Sequence, residues 1–110
     1  MQIGKLAAMT GVSIRMLRYY ESAGLLHPAR TETGYRSFTV NDVDVVKRIL
    51  ILNRAGFSLP AIHGLLNCVN AGATPCETLK IKIREQLTRI EHQVETLNES
   101  RKLLNQLLTN

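Results

Sequence analysis

Apolar residues recur along this 110-residue chain at helical spacing in five stretches, interrupted once by a short segment with strand-like alternation. Ile3, Leu6, Ala7 and Met9 mark a first helix over residues 3–10, which Gly11 stops. Ser13 suits a helix N-cap and Gly24 a left-handed helix end, so a second helix of about three turns is expected between them. Ile14, Leu17 and Ala23 can face a core from it. Ser13, Arg15, Arg18 and Tyr19 or Tyr20 present hydroxyls, two positive charges and aromatic edges elsewhere, a surface suited to phosphates and base edges. Two short helices around a glycine-containing turn make a helix-turn-helix, a pattern shared with plain helical hairpins that bind nothing.

After Gly24 the texture changes. Pro28 and Gly34 break helix, and Tyr35-Arg36-Ser37-Phe38 alternates aromatic with polar, which predicts a small hairpin, or wing, offering Arg30, Tyr35 and Arg36. Thr39-Val40-Asn41-Asp42 precedes Val43, Val46, Ile49, Leu50 and Leu52, so a third helix begins near Asn41 or Asp42 and runs to about Ala55. Ser58 can cap a fourth helix, Leu59 to Val69, with Pro60 in its first turn and Ile62, Leu65 and Leu66 on its buried face. The turn at residues 54–58 is a candidate second wing, with Arg54 able to reach a phosphate.

Residues 70–75 are rich in small and breaking residues and read as a linker. From Cys76 to Leu108 there is no Gly or Pro. Apolar residues fall at Ile83, Leu87, Ile90, Val94, Leu97, Leu104 and Leu108, a heptad seam with Arg101 at the missing position. Thr74 can cap this helix, and Pro75 would fit its first position. At ~1.5 Å per residue the helix is about 50 Å long, more than a domain of ~70 residues covers. It therefore calls for a partner helix, and a homodimer through an antiparallel coiled coil is expected. The predicted organisation is mainly α: a winged helix-turn-helix domain over residues 1–70, a linker over 71–75 and a coiled-coil dimerisation helix over 76–110.

Charge sharpens this division. Lys and Arg outnumber Asp and Glu by 8 to 4 in residues 1–70 and by 6 to 5 afterwards, which favours an anionic partner for the first part. No apolar run has the ~18 residues of a membrane span and the start lacks a signal-peptide core, so a cytoplasmic protein with no membrane partner is expected. Cys68 and Cys76 then read as free thiols or metal ligands rather than a disulfide. Paired carboxylates, a phosphate loop and a nucleophile–base arrangement are all missing from the sequence, which argues against an enzyme.

Taken in order, these residues resemble the MerR family of bacterial transcription regulators. The matching elements are Ile3-Gly4-Lys5-Leu6-Ala7, Ser13 with Leu17-Arg18-Tyr19-Tyr20-Glu21, Gly24-Leu25-Leu26, Gly34-Tyr35-Arg36, and Gly56-Phe57-Ser58 before a helix. The resemblance implies a homodimer that grips a pseudo-palindromic site on double-stranded promoter DNA and bends and untwists it, acting on RNA polymerase indirectly. Carried over position by position, it brings Ser13, Arg15, Arg18, Tyr19 and Tyr20 to the major groove and its phosphates, Tyr35 and Arg36 to the first wing's contacts and Arg54 to the second wing's. Arg15, near the exposed start of the reading helix, suits a bidentate guanine contact, whereas Arg18, Arg36 and Arg54 suit phosphates. One of Tyr19 and Tyr20 is equally a candidate for the core.

The resemblance also bears on a signal. Metal-sensing members carry a cysteine at the start of the dimerisation helix, as Cys76 does, and further cysteines in a later loop that this sequence lacks. A thiophilic metal ion such as zinc is thus a candidate, but zinc takes three or four ligands, and two thiols per chain need help from His63, His92 or the other subunit. Cys68 reads instead as a small hydrophobe on the fourth helix. A piece of a longer sensor, a minimal regulator without effector and a thiol sensor using Cys76 are the options, the first being preferred. Rival readings of the whole are a coiled-coil interaction adaptor and an excisionase-like architectural DNA-binding protein.

Overall fold

The computed structural model describes residues 1–70, 72 and 75–109, apart from the side chains of Val69 and Asn70. It is mainly helical and divides into two compact units, Met1–Ala73 and Thr74–Asn110. The first unit runs α1 (Ile3–Thr10), α2 (Ile14–Ser22), β1 (Ala29–Arg30), β2 (Arg36–Ser37), α3 (Val40–Arg54) and α4 (Leu59–Asn70). α1 packs on α2 and α3, and α3 packs on α4. Their shared core is centred on Leu6, Leu17, Leu26, Phe38, Val46, Ile49 and Ile62, all fully buried. Each such side chain contributes about 1.5–3 kcal/mol of burial, enough in sum to hold four short helices that would be marginal alone.

The α1–α2 turn is built from local bonds. Gly11 (φ +72°) ends α1 and donates to Ala7 O at 2.9 Å. Thr10 Oγ1 donates to Leu6 O at 2.8 Å and accepts the Val12 N–H at 3.3 Å. Ser13 Oγ then caps α2 by accepting the Met16 N–H at 3.1 Å. At the far end Gly24 (φ +78°) donates to Glu21 O at 3.0 Å and Leu25 to Tyr20 O at 2.9 Å, the paired bonds of a Schellman end.

Several expectations need correction. Ile14 is 39% exposed and Ala23 is exposed rather than turned to the core. The buried stripe of α2 runs through Leu17 and Tyr20, and at ~100° per residue Ile14 lies about 120° from Tyr20 and Ala23 about 120° from Leu17. Met9 likewise faces outward. α3 begins at Val40, earlier than expected, because the Thr39 N–H donates to Asp42 Oδ2 at 2.8 Å.

The second unit is a single helix, α5 (Glu77–Thr109), of 33 residues. Pro75 precedes it rather than occupying its first position, and the Cys76 carbonyl accepts the Lys80 N–H at 2.9 Å. Thr74, the expected cap, lies outside the described residues. No residue of α5 is buried, and Leu87, Val94, Leu97, Leu104 and Leu108 of the seam are each at least half exposed. Ile83 and Ile90 are partly covered. Leu103 and Leu107, outside the expected seam, widen the apolar face towards the C-terminal end.

Candidate nucleic-acid interface

The two faces of α2 divide its labour. Leu17 and Tyr20 anchor the helix in the core, and this leaves Ser13, Arg15, Arg18 and Tyr19 exposed on the outside. Ser13 Oγ acts as an acceptor in the cap, so its O–H remains able to donate to a phosphate oxygen. Of the two tyrosines, Tyr19 is 53% exposed and Tyr20 only 4%, so Tyr20 drops out of the expected groove-facing set. Burial pushes the Tyr20 phenol above its ordinary value of 10.0.

The wing stands beside this helix. β1 and β2 pair antiparallel with Ala29 opposite Ser37 and Arg30 opposite Arg36. Across the turn the Thr31 N–H donates to Tyr35 O at 2.8 Å, and Thr31 Oγ1 accepts the Tyr35 N–H at 3.2 Å. Tyr35 is 68% exposed. Arg36 is not the unattached charge expected of a phosphate ligand, because its Nε donates to Glu21 Oε2 on α2. Arg30 Nη2 lies 3.9 Å from Glu21 Oε1, and Arg30 Nη1 donates to Gly34 O at 3.1 Å. Sequence reasoning assigned Glu21 no role. The available signal was that it is the sole acid in α2, on a surface otherwise suited to phosphates.

Arg54 is the exposed last residue of α3. The turn after it is held by Asn53 Nδ2 donating to Phe57 O at 3.1 Å and by the buried Phe57 ring. This turn therefore presents Arg54 from a fixed base.

The cysteines are free, Cys76 exposed and Cys68 partly buried. Among the described residues no three His, Cys, Asp or Glu side chains come together as a metal site. His63 instead bonds Asn67, with 3.3 Å between His63 Nδ1 and Asn67 Nδ2. Among the described residues, the donors of one chain thus do not come together in the tetrahedral set that zinc requires. No described helix is long and apolar enough to cross a membrane.

A helix-turn-helix with a cationic outer face, flanked by a wing whose arginines meet the second helix, defines a DNA-binding protein of the winged helix-turn-helix class. The chain belongs to the MerR HTH family of regulatory proteins: that family's model matches residues 1–68, and the MerR DNA-binding model matches residues 43–107. It is a MerR-type transcription regulator and not an enzyme.

Among its relatives, the heavy metal-dependent transcription regulator 2 of Rhizobium meliloti is 32% identical over 108 residues, covering 97% of this chain and 74% of the relative. The mercuric resistance operon regulatory protein of Bacillus cereus is 33% identical over 104 residues, covering 94% and 79%. Among solved structures, that of HiNmlR, a MerR family regulator lacking the sensor domain, bound to promoter DNA, superposes with a TM-score of 0.72 at 28% identity, covering 98% of this chain and 86% of that one.

Proposed function

We propose that this regulator binds a pseudo-palindromic promoter site as a homodimer and distorts the DNA between its half-sites so that RNA polymerase can use the promoter. The exposed cationic face of α2 supports this reading: Arg15 would read a base edge, while Arg18, Tyr19, Ser13, Tyr35 and Arg36, the last through the guanidinium N–H groups that Glu21 does not take, would engage phosphates, and Arg54 would do so from the second turn. The DNA-bound state of HiNmlR supports it.

Support for the dimer comes from α5. Eight of its large apolar side chains are at least half exposed, and a second copy laid antiparallel along Ile83, Leu87, Ile90, Val94, Leu97, Leu104 and Leu108 would cover the five of them that lie on this seam. The signal we assign is thiol chemistry at the exposed Cys76, following the metal-responsive descriptions of the relatives. A thiophilic metal such as zinc would need donors from the other copy.

Duplexes selected by the protein from a random-sequence pool test the reading. Two inverted half-sites, two chains per duplex by sedimentation and enhanced nuclease cutting at the centre are the expected results. Leu97→Asp should give monomers that lose the selected duplex. A single half-site bound by one chain, or an unchanged Leu97→Asp dimer, contradicts the proposal.

A further inference from the structure

We propose that Glu21 is a positioning residue of the DNA interface, clamping the wing arginines to α2 so that the reading helix and wing engage DNA as one unit. The inference rests on the DNA-binding reading above.

The wing has little to hold it by itself. Each strand is two residues long, and an isolated two-stranded ribbon is marginal in water. Its register also sets Arg30 directly opposite Arg36, and like charges across a strand pair repel. Glu21, from a different element, answers both problems with its two oxygens. Oε2 accepts from Arg36 Nε, and Oε1 lies 3.9 Å from Arg30 Nη2, so one carboxylate meets a cation from each strand. The Glu21 side chain is only 21% exposed, so solvent weakens the pair less than it weakens a surface ion pair. Arg30 carries the restraint onward, since its Nη1 donates to Gly34 O at 3.1 Å in the turn. A continuous chain of polar contacts therefore runs from α2 through both strands to the turn.

The same carboxylate is a liability to simple attraction. Glu21, Arg30 and Arg36 together carry one net positive charge, and removing the acid raises this to two. If Glu21 did nothing but dilute the positive field, its loss would tighten binding to any DNA and steepen the salt dependence, by about 0.9 in log–log slope per added phosphate contact. Positioning predicts the opposite for the specific sequence. Arg36 would reach its phosphate from a loosened wing, and the cost of fixing it would fall on binding.

The test measures the parent, Glu21→Ala and Glu21→Gln on a duplex selected by the parent from a random pool and on a scrambled duplex of equal length. Glu21→Ala should bind the selected duplex roughly tenfold more weakly, the scale of one lost charge-assisted hydrogen bond, and the scrambled duplex as tightly as the parent or more so. Glu21→Gln, which keeps a carbonyl acceptor for Arg36 Nε, should fall between. With Arg30→Ala and Arg36→Ala both already present, Glu21→Ala should cost little more, because it acts through those two arginines.

A second arm uses no DNA. The Thr31 N–H, bonded across the wing to Tyr35 O, should exchange its hydrogen several-fold faster in Glu21→Ala, while core amides of α3 stay protected. Equal or tighter binding of Glu21→Ala to the selected duplex, equal loss on both duplexes, or unchanged Thr31 exchange would overturn the inference and leave the DNA-binding reading standing. A parent that does not distinguish the two duplexes would overturn that reading, and the inference with it.

Discussion

The left-handed ends of α1 and α2 can be tested through two glycines with different surroundings. Gly11 and Gly24 both have positive φ, +72° and +78°, but a Cβ at Gly11 would meet nothing within 4 Å, whereas one at Gly24 would sit 3.3 Å from His63 Nε2 and 3.6 Å from its Cδ2. Gly11→Ala thus incurs only the left-handed penalty of about 1–2 kcal/mol, offset by about 0.4–1 kcal/mol from a less flexible unfolded chain. A net loss of up to about 1.6 kcal/mol, centred at about 0.8 kcal/mol, follows. Gly24→Ala adds the contact, and displacing the His63 ring from its rotamer costs a further ~0.5–1.5 kcal/mol.

Urea unfolding of both variants checks this, at one protein concentration because the proposed dimer would make stability concentration-dependent. In a His63→Ala background, Gly24→Ala should cost no more than Gly11→Ala does. Equal losses for the two single variants, with no relief from His63→Ala, would refute the contact. A Gly11→Ala protein as stable as the parent would refute the backbone argument as well.

Other outcomes follow from burial and exposure. Leu17→Ala empties a fully buried position beneath the exposed face of α2 and should cost about 2–5 kcal/mol in the same unfolding assay. Tyr20 is protonated more firmly in the folded than in the unfolded chain, so the unfolded state gives up its proton first as pH rises past 10.0. Stability should therefore hold below that pH and fall as pH climbs through the higher folded value, and Tyr20→Phe should flatten this alkaline loss. Titration with a thiol reagent should find one fast thiol per chain, lost in Cys76→Ser, and a slower one from the partly buried Cys68.

Much of the fold was legible because local chemistry and hydrophobic period agreed. Ser13, Gly11 and Gly24 act where the sequence places them, and Val43, Val46, Ile49, Ile62, Leu65 and Leu66 form buried helix faces as expected. Ends were less legible where a side chain other than the obvious one caps. The Asp42 carboxylate reaches back to Thr39 and starts α3 early, and α5 begins after Pro75 and Cys76 rather than on them.

At the candidate site, periodicity could not decide between Tyr19 and Tyr20, because adjacent residues lie only ~100° apart and the choice depends on what the helix packs against. The Glu21 link was hidden for a different reason. It joins residues fifteen positions apart through a wing whose register no local pattern fixes.

Arg15→Ala probes the outer face of α2 as the surface that reads DNA. Binding to the selected and scrambled duplexes would be measured across a salt series, with Arg18→Ala alongside. If Arg15 reads guanine, its loss should weaken the selected duplex by about 1–3 kcal/mol and relax preference at one position of the site, with little change on the scrambled duplex. Arg18→Ala should weaken both duplexes alike and lower the salt slope by about one. An Arg15→Ala protein that binds and discriminates as the parent does would contradict the account.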